Sequence, residues 1–382
     1  MTRFDGGLAL WRAGVVVWVV ALTGIAGRVC VARPGAQSVV PIYAAAGEHF
    51  ARAEPLYDYR PPLDLYRNPP AVAAAFAPLG VLPPKVLGLL VRAAEAGLFL
   101  SGLVRFRRAA FPGWSLGRVG GLYLLAAVVV LPAVNNGQLN TLIAAAVLHG
   151  TAAGWRGRDR EAAAWFAVAG WVKLYPFAAG LLAGVARPRM LVWLALAAAA
   201  GFALPFAVQS SGYVRAEYAH WQESVGADDR ADAHPSRVPR DWTTWPRSLA
   251  GVTVPTPAAH AVSLAAAGAA AALAARAWRR GPRAGLLDAL VLSSVWMTAF
   301  GPATESNTYA LLAAVAPVVV LRAPAGWPRR LAAGGVALLL GTAARGFFPE
   351  DWQWQVHGPQ PLGALLLLAA HLLTPAPTVD DV

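Results

Sequence analysis

The stretch Leu8–Gly27 reads LALWRAGVVVWVVALTGIAG, an apolar run in which Arg12 is the one charge. At ~1.5 Å of helical rise per residue it measures ~30 Å, the thickness of a bilayer's hydrocarbon core. Met190–Gln209, His260–Arg276 and Ala284–Gly301 are nearly as long and carry at most one charge each. A chain in lipid must satisfy its backbone hydrogen bonds internally, and these Ala/Leu/Val-rich runs favour helices over barrel strands. The expectation is an all-α polytopic membrane protein, a single integral membrane domain over residues 1–382 with about ten to twelve helices. The first run is longer than the apolar core of a signal peptide and opens a multi-span chain, so it reads as an uncleaved first helix.

Composition agrees. Of 382 residues, 57% are hydrophobic and 14% charged, with a mean hydropathy of +0.48. Soluble proteins carry about 25% charged residues, so this chain has too few to cover a water-facing surface. Its formal charge of +12 does not imply a nucleic-acid partner. Arginines flanking membrane helices set topology and meet anionic headgroups of membrane lipids, and no nucleic-acid-binding motif is present. Cys30 is the only cysteine, which excludes an intrachain disulfide and a thiolate cluster.

The connections sort by arginine content. Arg105, Arg107, Arg108 and Arg118 form one basic group; Arg156, Arg158 and Arg160 another; Arg187 and Arg189 a third. Arg279, Arg280 and Arg283, then Arg322, Arg329 and Arg330, complete the set. By contrast Val31–Asn68 balances four arginines with four acids, and Ser210–Thr256 has five arginines against six acids. The positive-inside rule places the basic group and both termini in the cytoplasm. It puts the 31–68 and 210–256 loops on the extracytoplasmic side of the cell membrane. Two apolar pieces then cannot cross: Pro69–Pro84, bounded by prolines, and Glu161–Ala186, broken at Lys173-Leu174-Tyr175-Pro176. The second reads as a hairpin whose tip reaches mid-membrane, which requires a protein or water-filled lining.

Polar residues concentrate in four places. In the first outer loop Glu48, Asp58 and Asp64 alternate with Tyr66, Arg67 and Asn68. Carboxylates take hydroxyl protons, arginine pairs with phosphate, and aromatics stack on sugar faces. A hairpin tip holds Asn135, Asn136, Gln138 and Asn140; carboxamides donate and accept hydrogen bonds as sugar hydroxyls do. Lys173, with Tyr175, sits where a charge costs ~2.5–3.5 kcal/mol to insert, and a lipid phosphate would suit it. Last come Asp228, Asp229 and Arg230 in the second loop and Glu305 beside a Gly-Pro interruption. Asp228-Asp229 is by itself a weak metal signal, and no metal site or other cofactor is assigned. Thr304 or Ser306 is the expected helix cap near Glu305. A Walker loop, HExxH, GxSxG and a dinucleotide fingerprint are all absent, so a transferred group would arrive already activated.

Taken in order, Ile42-Tyr43-Ala44-Ala45-Ala46, Pro55-Leu56-Tyr57, Tyr66-Arg67-Asn68-Pro69-Pro70, Asn136-Gly137-Gln138-Leu139-Asn140 and Lys173-Leu174-Tyr175-Pro176 resemble glycosyltransferase family 87. The later Ala227–Arg230 and Trp296–Ser306 stretches look like a subgroup of it. The resemblance implies the GT-C fold and a polyprenyl-phosphate sugar donor, commonly the mannose form. It also implies inverting transfer to a lipid or glycan acceptor at the outer face. The chain departs from the family where an acid often precedes the tyrosine matching Tyr43: Gln37–Ile42 has none. Asp64 is the first substitute as base, with Asp58 and Glu48 behind it. The alternative is a transporter, a flippase or a catalytically inactive binder of a lipid-linked substrate.

Overall fold

The structure, a computed structural model, describes residues 4–33, 38–58, 63–226, 240–302, 304–340 and 359–375. All regular structure among the described residues is helical. In chain order the helices are α1 (Phe4–Gly27), α2 (Val40–Ala51), α3 (Pro70–Phe76), α4 (Pro84–Ala110), α5 (Leu116–Asn136), α6 (Asn140–Trp155), α7 (Asp159–Val172) and α8 (Phe177–Ala186). There follow α9 (Arg189–Ala203), α10 (Ser211–Gly226), α11 (Thr244–Ala250), α12 (Thr256–Trp278) and α13 (Pro282–Val295). A 3-10 helix, Ser306–Ala313, leads into α14 (Ala316–Arg322), then α15 (Trp327–Leu340) and α16 (Pro359–Leu372).

Among the described residues six segments are long and apolar enough to cross a membrane: Gly6–Ala32, Pro84–Ala110, Leu116–Asn136, Arg189–Ala207, Thr256–Trp278 and Pro282–Phe300. The protein is therefore an all-α, multi-pass membrane protein. The rest of the expected ten to twelve are shorter pieces. One of them, α6, would measure only ~24 Å at its sixteen residues, and it is buried along almost its whole length. Pro70–Leu79 stays a short apolar helix, as its bounding prolines require. Within 210–256, the described residues include α10 and α11.

The break at 173–176 forms as the proline demands. Lys173 ends α7 in an extended conformation (φ −149°, ψ 147°), and α8 begins after Pro176. The two arms fold back on each other. Arg187, just past α8, pairs with Asp159 at the start of α7, so the open ends of the hairpin meet. Other ion pairs gather at that same end. Arg105 at the foot of α4 pairs with Glu161, while Asp288 of α13 holds Arg280 and His371 of α16, each at 3.0 Å. The bundle thus has an arginine-rich end and, at the opposite end of α4, α5 and α6, an end made of polar loops.

Helix α1 lies along α5 by small-residue contact, the usual means of close helix approach in membranes. A Cβ at Gly120 would fall on the Leu10 carbonyl and the Trp11 amide, and one at Gly14 would lie 3.1 Å from the Gly120 carbonyl. A Cβ at Gly268 of α12, by comparison, has no atom within 4 Å. Gly120→Ala should therefore lower the unfolding temperature of the detergent-purified protein, by the about 1–3 kcal/mol typical of overpacking. Gly268→Ala should leave it unchanged or raise it. Equal behaviour of the two variants would mean that α1 does not seat on α5 as described.

Candidate functional site

At the polar-loop end, residues far apart in sequence form one chain of hydrogen bonds. Glu305 Oε2 accepts from Gln138 Nε2 at 2.9 Å, and Gln138 Oε1 accepts from Asn140 Nδ2 at 2.8 Å. Asn140 Oδ1 in turn accepts from Lys173 Nζ at 3.2 Å. The ammonium also lies 5.9 Å from the centre of the Tyr175 ring. Four of the residues picked out by sequence are brought together here from α6, the preceding turn, the broken hairpin and the 3-10 helix. Asn140 is buried, whereas Gln138, Lys173, Tyr175 and Glu305 stay partly exposed, so a polar molecule can reach them.

Local structure explains each placement. Gly137 caps α5 in the left-handed conformation (φ 68°), which turns the chain so that Gln138 and Asn140 face the break. A Cβ at Gly137 would also press on Val40 at 2.6 Å, so glycine serves both turn and packing. Glu305 is itself the cap of the 3-10 helix: its side chain takes the Thr308 amide, and Thr308 Oγ1 accepts from the Glu305 amide at 3.2 Å. This corrects the expectation of a cap at Thr304 or Ser306. Thr304 instead donates to the Gly301 carbonyl at 3.2 Å, closing the helix before it.

The first loop is fastened to this chain. Asn68, buried, donates through Nδ2 to the Val172 carbonyl at 2.8 Å, immediately before Lys173. Tyr66 is buried and gives its hydroxyl to the Pro69 carbonyl, and Tyr57 gives its own to Asn68 at 2.8 Å. Helix α10 straps the loop from outside. Glu217 Oε2 accepts from the Leu56 amide at 2.9 Å, Tyr213 donates to the Glu54 carbonyl, and Trp221 Nε1 donates to the Arg67 carbonyl. Burial is the main cause that pushes the Tyr57 and Tyr66 phenols well above their ordinary values, so both stay neutral hydrogen-bond donors. Tyr43 is held high too, first by burial and then by the facing Glu95 carboxyl, against the Leu139 backbone.

The candidate acids are not part of the bonded chain. Asp64 and Asp58 are exposed; Asp64 Oδ1 accepts from the Leu65 amide at 2.8 Å. Glu48, on α2, lies 3.7 Å from Arg52 one turn on. Arg67 is partly exposed, as are Asn135 and Asn136, and Asn135 engages through its backbone, which accepts from Arg92 and Arg28. Asp228, Asp229 and Arg230 lie outside the described residues. Among the described residues no three His, Cys, Asp or Glu side chains converge as metal ligands would.

Two buried polar groups have no counterpart in the sequence reading of the site. Arg92 and Glu95 sit inside α4, with Arg92 Nη1 bound to the Gly88 carbonyl at 2.9 Å and both Glu95 oxygens buried without a hydrogen bond. Two charges three residues apart in an apolar span were the available signal. Asp241, buried, caps the turn before α11 by accepting from the Thr243 amide at 2.9 Å.

A helical membrane bundle with carboxamides, a lysine and a carboxylate bonded together beneath a tethered loop defines a membrane protein with a polar site at one end. The model of glycosyltransferase family 87 matches residues 66–302, more than half of the chain. The protein belongs to glycosyltransferase family 87 and is a membrane glycosyltransferase, an enzyme acting on donor and acceptor substrates in a membrane. The matched range begins at Tyr66 and takes in the hairpin tip and Lys173, while Glu305 lies just beyond it. No curated protein matches the chain.

If the hydrogen-bonded chain acts as a unit, its members are energetically coupled. In SDS unfolding of Asn140→Ala, Gln138→Ala and the double variant, the two losses should fail to add by about 0.5–3 kcal/mol. Additive losses would show that the chain is not continuous.

Proposed function

We propose that the enzyme transfers a sugar, a hexose such as mannose, from a polyprenyl-phosphate carrier to a hydroxyl of a lipid or glycan acceptor at the outer face of the cytoplasmic membrane. The observation that carries this reading is the partly exposed Lys173 ammonium, bonded to Asn140 at the break of the hairpin and linked through Asn140 and Gln138 to Glu305. A cation held at that depth suits an anionic partner that itself lives in the membrane. A lipid phosphate is such a partner. The carboxamides and Glu305 then offer donors and acceptors for sugar hydroxyls.

The chemistry is a single displacement with inversion. A carboxylate of the first loop takes the proton of the acceptor hydroxyl, and the oxygen attacks the anomeric carbon. The bond from that carbon to the phosphate oxygen breaks, and the polyprenyl phosphate leaves with the added negative charge beside Lys173. Asp64 is the preferred base. It lies four positions before Asn68, whose side chain is anchored next to Lys173, so the two Cα atoms are no more than ~14 Å apart. Glu48 is drawn toward Arg52 and follows Asp58 in order. Asp228, Asp229 and Arg230 belong to the same reading as donor-binding groups of the second loop. The whole chain is one integral membrane domain, with its arginine-rich end and both termini in the cytoplasm.

With a radiolabelled polyprenyl-phosphate mannose and membrane-lipid acceptors, Asp64→Asn should lose turnover by at least a hundredfold and keep donor binding. Lys173→Met should weaken donor binding itself. Full turnover in Asp64→Asn would move the base to Asp58 or Glu48, and donor binding without transfer by the native enzyme would leave a binder. Sidedness has its own test: in a Cys30→Ser background, Asp229→Cys should react with an impermeant thiol reagent applied to intact cells. Labelling from the cytoplasmic side alone would invert the topology.

A further inference from the structure

At the arginine-rich end, α1, α4 and α5 flank an open groove of about 660 Å³. It falls within the ~300–1,000 Å³ of ordinary ligand sites. Val15 and Leu22 of α1 and Val104 of α4 line its apolar wall, and Arg105, Arg108 and Arg156 stand along its rim. The polar edge of Trp18, which also faces the groove, is already used: its indole N–H donates to the Tyr123 carbonyl at 3.0 Å, and its ring stacks on Phe99. The wall therefore offers apolar surface and little else. Helix α1 closes backbone to backbone on α5 near Gly14 and Gly120, and the groove lies alongside that contact, on the α4 side.

The rim is positively charged beyond what its acids neutralise. Glu161 is taken by Arg105 and Arg158, and Asp159 by Arg187. Arg108 and Arg156 are exposed and are in no ion pair among the described residues. Guanidinium groups pair with phosphate oxygens through two parallel hydrogen bonds, and an acyl chain matches the wall beneath them.

We propose that this groove is a binding site for one anionic diacyl phospholipid, its phosphate held by Arg108 and Arg156 and an acyl chain laid along α1 and α4. The lipid-linked sugar is not the occupant. Along α7, Glu161, which pairs with Arg105 at this rim, and Lys173 are twelve positions apart, ~18 Å of helix, so a phosphate held at the rim would not reach the Lys173 ammonium. The site is thus a feature of the membrane scaffold, independent of the transfer reaction.

Native mass spectrometry of the detergent-purified protein tests it, with phosphatidylglycerol, phosphatidylcholine of the same acyl chains, and polyprenyl phosphate as probes. One phosphatidylglycerol should bind in preference to phosphatidylcholine. The Arg108→Ala/Arg156→Ala variant should weaken it about thirty-fold, with phosphatidylcholine binding unchanged. Val15→Trp, which fills the groove from a lipid-facing helix, should weaken both. Equal binding of the two phospholipids by the native protein, or an unchanged preference in the double variant, would overturn the proposal. So would arginine-dependent binding of polyprenyl phosphate tighter than phosphatidylglycerol. Both arginines are exposed, and an unaltered unfolding temperature of the double variant confirms that the loss is one of binding.

Discussion

An ammonium group inside an apolar bundle must be solvated by something, and here the polar end is arranged around that requirement. Lys173 cannot sit in a continuous helix with its charge toward lipid. Pro176 breaks the helix, the hairpin tip opens, and the side chain turns to Asn140 and the Tyr175 ring. Asn140 in turn needs Gln138, and Gln138 needs Glu305 from a segment more than 160 residues later. Each member is held by the next, so the geometry is set by satisfying buried polar groups rather than by any one strong bond. The opposite charges at the two ends, Lys173 and Glu305, are separated by two carboxamides.

The two ends of the bundle handle charge differently. At the arginine-rich end acids are scarce, and the described ones are consumed in short ion pairs that tie helix ends together, such as Arg105 with Glu161 and Asp288 with Arg280 and His371. Excess positive charge is left facing the headgroup region. At the loop end acids are as numerous as arginines, and hydrogen bonds to backbone carbonyls and amides do the fastening. Ion pairs between side chains therefore fasten one end, and hydrogen bonds to the backbone fasten the other.

The fold was legible because hydropathy and proline act locally. The run Leu8–Gly27 and its counterparts had to be helices, and Lys173–Pro176 had to break one. The family was legible from the order of short motifs from Ile42-Tyr43 to Glu305-Ser306, a stretch that the family model matches from residue 66 to residue 302. What could not be read were partnerships across the chain. Nothing in the local sequence says that Gln138 meets Glu305, or that Asn68 holds the carbonyl before Lys173. Arg92 and Glu95 were visible as two charges in an apolar span, but nothing local says that they are buried inside the bundle. The cap at Glu305 was missed because a capping box ordinarily places the hydroxyl at the start and the acid three residues on, and here Glu305 and Thr308 reverse those roles.

The candidate base and the candidate phosphate cation occupy elements of different kinds. Lys173 is built into packed helices, whereas Asp64 lies on a loop whose backbone is held at Leu56, Glu54 and Arg67 by α10. That helix comes from the second outer segment, so the two outer segments are one unit: moving α10 moves the loop. A rigid cation suits a donor phosphate that is the same for every turnover. A loop positioned by a separate helix suits an acceptor whose hydroxyl must be brought to the donor.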